Sequence, residues 1–269
     1  MAIPKGKNEY RISSDSIIAF GISHSKKEME LSLCTDVYDK LYDIEENINL
    51  ANSLQDTGFD RMLIMEKIFP QGKKESWEIG EAYAQSYAES NLSAIIPWGI
   101  TRDLKKPGSS LPGADIVGLH KHESGTYFLF GEIKTSSDKD YPPGVMYGEH
   151  GLKHQLEDLC QEKEITNQLV KYLAHRLKND TLWPQYTDAF KNYMNSREEA
   201  VHILGVLVRD AVPSEDDLRT RTKALEKFAV GKKTIELVGI YVPEDAVKKF
   251  PYIIQEEHER RSVSNVKKE

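Results

Sequence analysis

The stretch ADIVGLHKHESGTYFLFGEIKTS, residues 114–136, decides how the centre of the fold is built. Two runs rich in β-branched and aromatic residues flank the segment KHESG, whose glycine can supply a turn, so the stretch predicts an antiparallel hairpin. A turn centred between Glu123 and Ser124 pairs Asp115 directly with Glu132 on the neighbouring strand. A slip of one residue would send the two acids to opposite faces of the sheet, so the position of the turn determines whether they meet.

The rest of the chain predicts an α/β protein, with a mixed sheet flanked by helices. Two apolar, β-rich runs at 201–208 and 234–242 enclose a helix that starts at PSEDDLRTR, and a strand–helix–strand unit implies parallel pairing. Another strand is predicted at 16–23. Apolar residues at intervals of three and four predict two helices within 34–69 and one long helical stretch over 151–178.

This pattern divides the chain into three parts. Residues 1–75 form an N-terminal strand and helical region that packs on or extends the core, and residues 76–254 form the core itself. Residues 255–269 are charged and poor in apolar residues, so we expect a flexible tail.

The charge of the chain limits how it could bind nucleic acid. With a formal net charge of −7, the protein lacks the basic field of proteins that coat nucleic acids, so any phosphate binding must be local. Candidate basic patches are Lys73 with Lys74, and Arg102 with Lys105 and Lys106. Each patch could equally be an ordinary solvated loop.

Other compositional signals exclude several classes of protein. The sequence has neither an apolar run long enough to span a membrane nor a signal peptide at its start, so we expect a cytoplasmic protein without membrane contact. Cys34 and Cys160 are far apart and have no metal-type spacing, which indicates neither a disulfide framework nor a zinc site. The two residues are expected to be reduced thiols.

Alternation along the second hairpin strand places Glu132 and Lys134 on one face and Ile133 on the other. Two carboxylates directly opposite each other repel, so a pair formed by Asp115 and Glu132 calls for a positive charge between them. Hard oxygen ligands suit Mg²⁺ or Mn²⁺, and Lys134 could orient an attacking water or stabilise charge on a phosphoryl group. The residues therefore indicate metal-assisted phosphodiester hydrolysis.

The segments LPGADIVGL (111–119) and LFGEIKTSS (129–137) resemble the motifs of the PD-(D/E)XK phosphodiesterase superfamily, which includes many restriction and repair nucleases. The resemblance covers roughly residues 76–160 and implies a restriction-endonuclease-like fold. The chain departs from the usual motif where Gly113 and Ala114 separate the proline from the aspartate.

The resemblance implies roles for individual residues. Asp115 and Glu132 would bind the metal together with the carbonyl of Ile133, and Lys134 would serve the nucleophile. Glu81, in the predicted helix SWEIGEAYAQSYAES, matches the upstream glutamate of the superfamily, which supports a metal or a water.

Two further similarities refine this expectation. In RecB-like branches of the superfamily a glutamine on the following helix joins the site, and Gln155 in GLKHQLEDL is the matching position. The chain is also similar to the small nuclease subunits of bacterial antiviral systems such as Hachiman, which operate beside a helicase. This similarity implies a DNA-cutting antiphage effector with a protein partner, such as a helicase or ATPase subunit. The acidic helices within 34–60 are candidates to dock that partner.

Several alternatives stay open on the sequence. Glu132 and Lys134 could form a solvent-facing ion pair, and the chain could be a catalytically inactive nuclease-like subunit for DNA binding or assembly. A third alternative is a sugar hydrolase that uses Asp115 and Glu132 as acid and base. The presence of Lys134 beside the two acids disfavours it. The sequence leaves open DNA or RNA as substrate, sequence specificity, endo- or exonucleolytic cutting and the oligomeric state.

Overall fold

The computed structural model describes residues 2–69, 72–99, 102 and 113–266. Within these residues seven strands form one sheet in the order β1-β2-β7-β6-β5-β4-β3. The strands are β1 (Lys7–Ile12), β2 (Ile17–Ser23), β3 (Ala94–Ile95), β4 (Ile116–His122), β5 (Gly125–Ser136), β6 (Val201–Arg209) and β7 (Thr234–Tyr241). The α/β class with a mixed sheet flanked by helices is therefore confirmed.

The described helices cover both faces of the sheet. They are α1 (Lys26–Ser32), α2 (Tyr38–Leu41), α3 (Ile44–Ser53), α4 (Arg61–Ile68), α5 (Ser76–Asn91), α6 (Leu152–Gln161), α7 (Lys163–Leu177), α8 (Trp183–Asn195), α9 (Asp216–Leu225) and α10 (Phe250–Val266). Helices α1, α2, α5 and α10 contribute to the core on one face, and α6 to α9 contribute to the core on the other. Burial on both sides explains why β6 is apolar along almost its whole length.

The antiparallel hairpin of β4 and β5 and the parallel pairing of β6 with β7 are as the sequence predicts, whereas the sequence does not specify the parallel neighbours of β2 and β5. Strands β5, β6, β7 and β2 are parallel, and β4 is antiparallel to β5. The strand predicted at 16–23 corresponds to β2. The first strand, β1, was not predicted because its sequence KNEYRI is mostly polar, and it lies at the sheet edge, antiparallel to β2.

Residues 1–75 extend the core. Strand β2 joins the main sheet beside β7, and Leu33, Val37 and Leu41 belong to the same buried cluster as Tyr83 of α5. A boundary at residue 75 therefore does not separate two hydrophobic cores. Helix α5 starts at this point because Glu75 forms a reciprocal capping box with the third residue of the helix.

The helical regions are more divided than the sequence predicts. Between residues 34 and 69 the chain forms a π-helical turn (Leu33–Val37), α2, α3 and α4, and Asp43 adopts a left-handed conformation with φ 48°. The stretch over 151–178 is two helices, α6 and α7, which meet at Glu162. Apolar periodicity continues across both breaks, so it does not show where the backbone changes direction.

The prediction of a flexible tail from residue 255 is wrong for the stretch through Arg261. Helix α10 runs through this stretch, and Glu257 is only 5% exposed. Its carboxylate accepts hydrogen bonds from Arg260 and Arg261, and Arg261 also donates to the carbonyl of Cys34. The charged side chains hold the helix on the core by pairing with each other, which composition alone does not reveal.

Across the described ranges, no helix combines the length and apolar character needed to cross a membrane.

Candidate active site

The hairpin of β4 and β5 has the predicted register. Ile116 pairs with Gly131 and His122 pairs with Gly125, so the chain turns at Glu123 and Ser124. Asp115 directly precedes β4, at the position opposite Glu132. The turn position, read from the sequence, therefore brings the two acids together on neighbouring strands.

A hydrogen bond fixes the side chain of Asp115 against β5. Its Oδ2 accepts a hydrogen bond from the backbone N–H of Ile133, with an N–O distance of 2.9 Å. The backbone of Asp115 is also held, because the side-chain amide of Gln85 on α5 donates to the Asp115 carbonyl at 2.8 Å. Gln85 is buried and was not predicted as a site residue. The signal for it was its place one helical turn after Glu81, on the same side of α5.

The side chains of β5 alternate between the two cores. Phe128 and Phe130 lie in the core formed by α6 to α9, whereas Leu129 and Ile133 lie in the core formed with α5. Glu132 therefore projects toward the α6 side together with Lys134, and Ile133 anchors the strand on the other side.

Glu132 and Lys134 are close together and shielded from solvent. Glu132 is 2% exposed, the side chain of Lys134 is 20% exposed, and the Lys134 Nζ lies 3.6 Å from the Glu132 Oε2. A solvent-facing ion pair would leave both side chains in water, so the observed burial does not fit that reading. A buried carboxylate and amine at a strand end are an arrangement that functional sites often use.

Helix α5 approaches β5 unusually closely. A Cβ atom added at Gly80 would collide with the side chain of Thr135, so only glycine allows this contact. Glu81 follows directly and is mostly buried. Although α5 lies on the opposite side of the sheet from Glu132 and Lys134, the charge of Glu81 interacts with those of Asp115 and Lys134.

Two of these acids have strongly raised pKa values. Burial raises the pKa of Glu132 to about 9, repulsion from Asp115 adds to the effect, and Lys134 offsets part of it. Burial also raises the pKa of Glu81 to about 8, again with repulsion from Asp115 and partial compensation by Lys134. Three acids thus lie near a single lysine, whose positive charge offsets only part of their burial and mutual repulsion.

Gln155 lies on α6, which packs on the same side of the sheet as Glu132. A Cβ atom added at Gly205, the residue paired with Glu132 on β6, would lie 2.6 Å from Leu156. Leu156 adjoins Gln155, so the glutamine is on the helix that covers the site. Its Oε1 atom is buried and accepts no hydrogen bond from any described residue.

The donor set fits a hard divalent cation in its chemistry. Asp115 and Glu132 offer carboxylate oxygens, Ile133 offers a backbone carbonyl, and a cation between the acids would relieve their repulsion. The unpartnered Oε1 of Gln155 is one more oxygen that could bind a ligand or an ordered water. In the described part of the chain, however, no three His, Cys, Asp or Glu side chains form a group that could hold a metal ion. Glu81 thus does not complete a three-carboxylate site in this arrangement.

The predicted basic patches are largely engaged elsewhere. Lys74 lies 3.6 Å from Glu78 and over the ring of Tyr42, and Arg102 forms a two-point ion pair with Asp43. Lys73 is exposed, while Lys105 and Lys106 lie outside the described residues. Lys74 and Arg102 therefore have structural partners that a phosphate would have to displace.

A cavity of about 980 Å³ lies between the N-terminal helices and α5. Its lining is strongly acidic and includes Asp36, Asp39, Asp43, Glu45, Glu46 and Glu89. Among the described lining residues the basic ones are Lys40 and Arg102, and each is paired with one of these acids. Such a surface repels a phosphate backbone and suits a cationic ligand.

Comparison of the sequence with models of known protein families gave no match, and no curated protein is significantly similar to it.

Proposed function

We propose that this chain is a metal-dependent nuclease that hydrolyses phosphodiester bonds in DNA, with a restriction-endonuclease-like fold. The observation that carries the proposal is the group of Asp115, Glu132 and Lys134 at one strand pair, in which Glu132 is buried and the other two are half-buried, with Glu81 within electrostatic reach. Two carboxylates that repel each other on neighbouring strands destabilise a sheet, even beside a lysine. A catalytic role is therefore the simplest explanation for their position.

Each residue has a role that follows from its position. Asp115 and Glu132 would hold a Mg²⁺ or Mn²⁺ ion together with the carbonyl of Ile133, and Glu81 would bind a water at its edge. When bound, the cation would lower the pKa of a coordinated water and polarise the scissile phosphate. Lys134 would then orient that water and neutralise charge on the phosphoryl oxygens.

Gln155 would act as a positioning residue. Its buried amide oxygen is free to accept a hydrogen bond from the attacking water or from a second water in the site. Gln85 has a similar supporting role, since it holds the backbone of Asp115 in place.

We further propose that the nuclease works with a protein partner, such as a helicase or ATPase subunit, in bacterial antiphage defence. The net charge of −7 gives the chain no overall basic field to capture DNA, and Lys74 and Arg102 of the predicted basic patches already have carboxylate partners. The acidic cavity beside α3 is suited to a basic segment of such a partner. Equal DNA binding and cleavage by the isolated chain and by any complex it forms would contradict this part of the proposal.

Cleavage assays test the enzymatic part. Linear, circular and single-stranded DNA, and RNA of the same sequence, would be incubated with and without Mg²⁺. We expect Mg²⁺-dependent cleavage by the wild type, and its loss in Glu132→Ala and Lys134→Ala. Lys153→Ala is a matched control, because Lys153 is a surface lysine of α6 paired with Glu157. Metal-independent cleavage, or full activity in both site variants, would refute the mechanism.

The second candidate is a catalytically inactive nuclease-like subunit for DNA binding or assembly. It is favoured by one observation, namely that Lys134 pairs with Glu132 while no three-residue metal group forms among the described residues. Calorimetric titration with Mn²⁺ separates the two candidates. An active nuclease should bind the ion through Glu132, whereas an inactive subunit should show no binding that Glu132→Ala removes.

A further inference from the structure

A second feature on the α6 side of the sheet is an arginine that has no anionic partner among the described residues. Arg221 lies on α9 and is only 4% exposed. Its Nε atom is fully buried and donates no hydrogen bond, and no described acidic side chain pairs with its guanidinium. The contact it does make is with the ring of Tyr147, whose centroid lies 4.3 Å away.

The neighbouring charges on α9 are paired with other residues. Asp217, one helical turn before Arg221, binds Arg209 through one carboxylate oxygen and Tyr241 through the other. Arg219 is on the exposed side and pairs with Glu215 and Asp216. Of the arginines on this helix, the exposed one has carboxylate partners and the buried one does not.

An unpaired buried arginine is energetically unfavourable. A guanidinium carries a charge in proteins, and burying a charge without an anionic partner costs solvation free energy. The Tyr147 ring compensates only partly, since a cation–π contact does not satisfy the N–H donors. Five donors in a planar fork match the oxygens of a phosphate group, which can accept two parallel hydrogen bonds.

The surroundings of Arg221 also suit an anion. Tyr147 is exposed and belongs to the turn that leads into α6, whose N-cap is Gly151. No described side chain caps this helix, so the backbone N–H groups of its first turn have no side-chain acceptor among the described residues. The buried guanidinium and the uncapped start of a ten-residue helix are thus linked through one tyrosine.

We propose that Arg221, Tyr147 and the first turn of α6 form a phosphate-binding subsite. Helix α6 packs on the strands that carry Glu132 and its partner Gly205. The subsite would therefore hold a non-scissile phosphate of the strand that is cut at Glu132 and Lys134, an assignment that rests on the proposed nuclease function. Binding of the phosphate group itself does not depend on that function.

Thermal unfolding in the presence of inorganic phosphate tests the subsite. The titration is done in EDTA at constant ionic strength, with chloride as the balancing anion, so that no metal-bound phosphate contributes. We expect phosphate to raise the Tm of the wild type. The shift should persist in Arg219→Gln, which removes the same charge from the same helix, and in Lys134→Ala. It should disappear in Arg221→Gln, with a loss of about tenfold or more in apparent phosphate affinity.

A second arm identifies the source of the phosphate. Binding of a short oligodeoxynucleotide without terminal phosphates is measured in EDTA, and we expect Arg221→Gln to weaken it while Arg219→Gln leaves it nearly unchanged. Equal oligonucleotide affinity in Arg221→Gln and wild type would overturn the assignment to a nucleic-acid strand. If oligonucleotide binding depends on Arg221 but the protein cleaves no substrate, the phosphate-binding subsite is supported and only the proposed nuclease function is refuted.

Two other results would overturn the subsite. One is the absence of any phosphate-specific Tm shift in the wild type, and the other is an equal shift in Arg221→Gln. If Arg221→Gln does not fold, Arg221→Lys replaces it, because lysine keeps the charge but loses the planar fork. Phosphate binding by Arg221→Lys as tight as that of the wild type would then refute the bidentate contact.

Discussion

Replacing Glu132 by glutamine should stabilise the metal-free protein. Glu132 is 2% exposed, and burial together with repulsion from Asp115 raises its pKa from 4.5 to about 9. An acid whose pKa is higher in the folded protein than in the unfolded chain stabilises the fold fully at pH values below the unfolded pKa. This stabilisation is lost as the pH rises toward the folded pKa. Wild-type stability should therefore decline between about pH 4.5 and pH 9 because of this residue.

The size of the effect follows from the same shift. Each pH unit in this window corresponds to about 1.4 kcal/mol, so the largest possible effect at pH 7.5 is ~4 kcal/mol. Because the charge of Glu132 interacts strongly with its neighbours Asp115 and Lys134, we expect about 1–2 kcal/mol. For a domain of this size the corresponding rise in Tm is roughly 2–8 °C.

Urea unfolding in EDTA at several pH values measures the effect. The gain in the free energy of unfolding of Glu132→Gln over the wild type should be close to zero near pH 5 and largest near pH 9. Glu257→Gln is a control of opposite sign, because Glu257 is 5% exposed but its pKa is lowered by hydrogen bonds from Arg260 and Arg261. That variant should lose about 1–2 kcal/mol at neutral pH. A destabilised Glu132→Gln protein at pH 8, or a difference independent of pH, would refute the reasoning.

Three further variants test the packing around the site. Gly80→Ala forces a methyl group into Thr135 and should lower the free energy of unfolding by about 1–3 kcal/mol in urea titrations, whereas an unchanged midpoint would show that α5 can move away. Asp217→Asn leaves the fully buried Arg209 without its carboxylate and should cost about 3 kcal/mol in the same assay, and a loss below 1 kcal/mol would contradict a paired buried charge. Burial lowers the pKa of His120 from 6.5 to about 4, and two neighbouring histidines add to the effect. The contribution of His120 to the free energy of unfolding is therefore present above pH 6.5 and is lost as the pH falls toward 4. Because the ring is partly exposed, we expect only ~1–2 kcal/mol between pH 7 and pH 4, and His120→Gln should show a smaller decline than the wild type over that range.

The hairpin at the centre of the protein follows from the amino-acid sequence alone. The composition of 114–136 and the position of its turn fixed the hairpin register, and alternation along β5 fixed which face Glu132 and Lys134 share. These features are local, because a turn and a two-residue period depend only on residues a few positions apart. The parallel pairing of β6 and β7 could also be predicted, since a helix separates the two strands.

Other properties depend on residues that are distant in sequence and meet only in the folded chain. Glu132 becomes buried because α6 covers its face of the sheet, and Glu81 comes near Asp115 because Gly80 lets α5 approach Thr135. The edge strand β1, the breaks in the helices and the docked start of α10 likewise depend on which surfaces meet. Whether Arg221 has a counter-ion cannot be read from α9, because its i−4 neighbour Asp217 is a suitable partner in sequence and is taken by Arg209 only in the folded chain. Pairing and burial are properties of the whole packing arrangement, whereas pattern and register are properties of short segments.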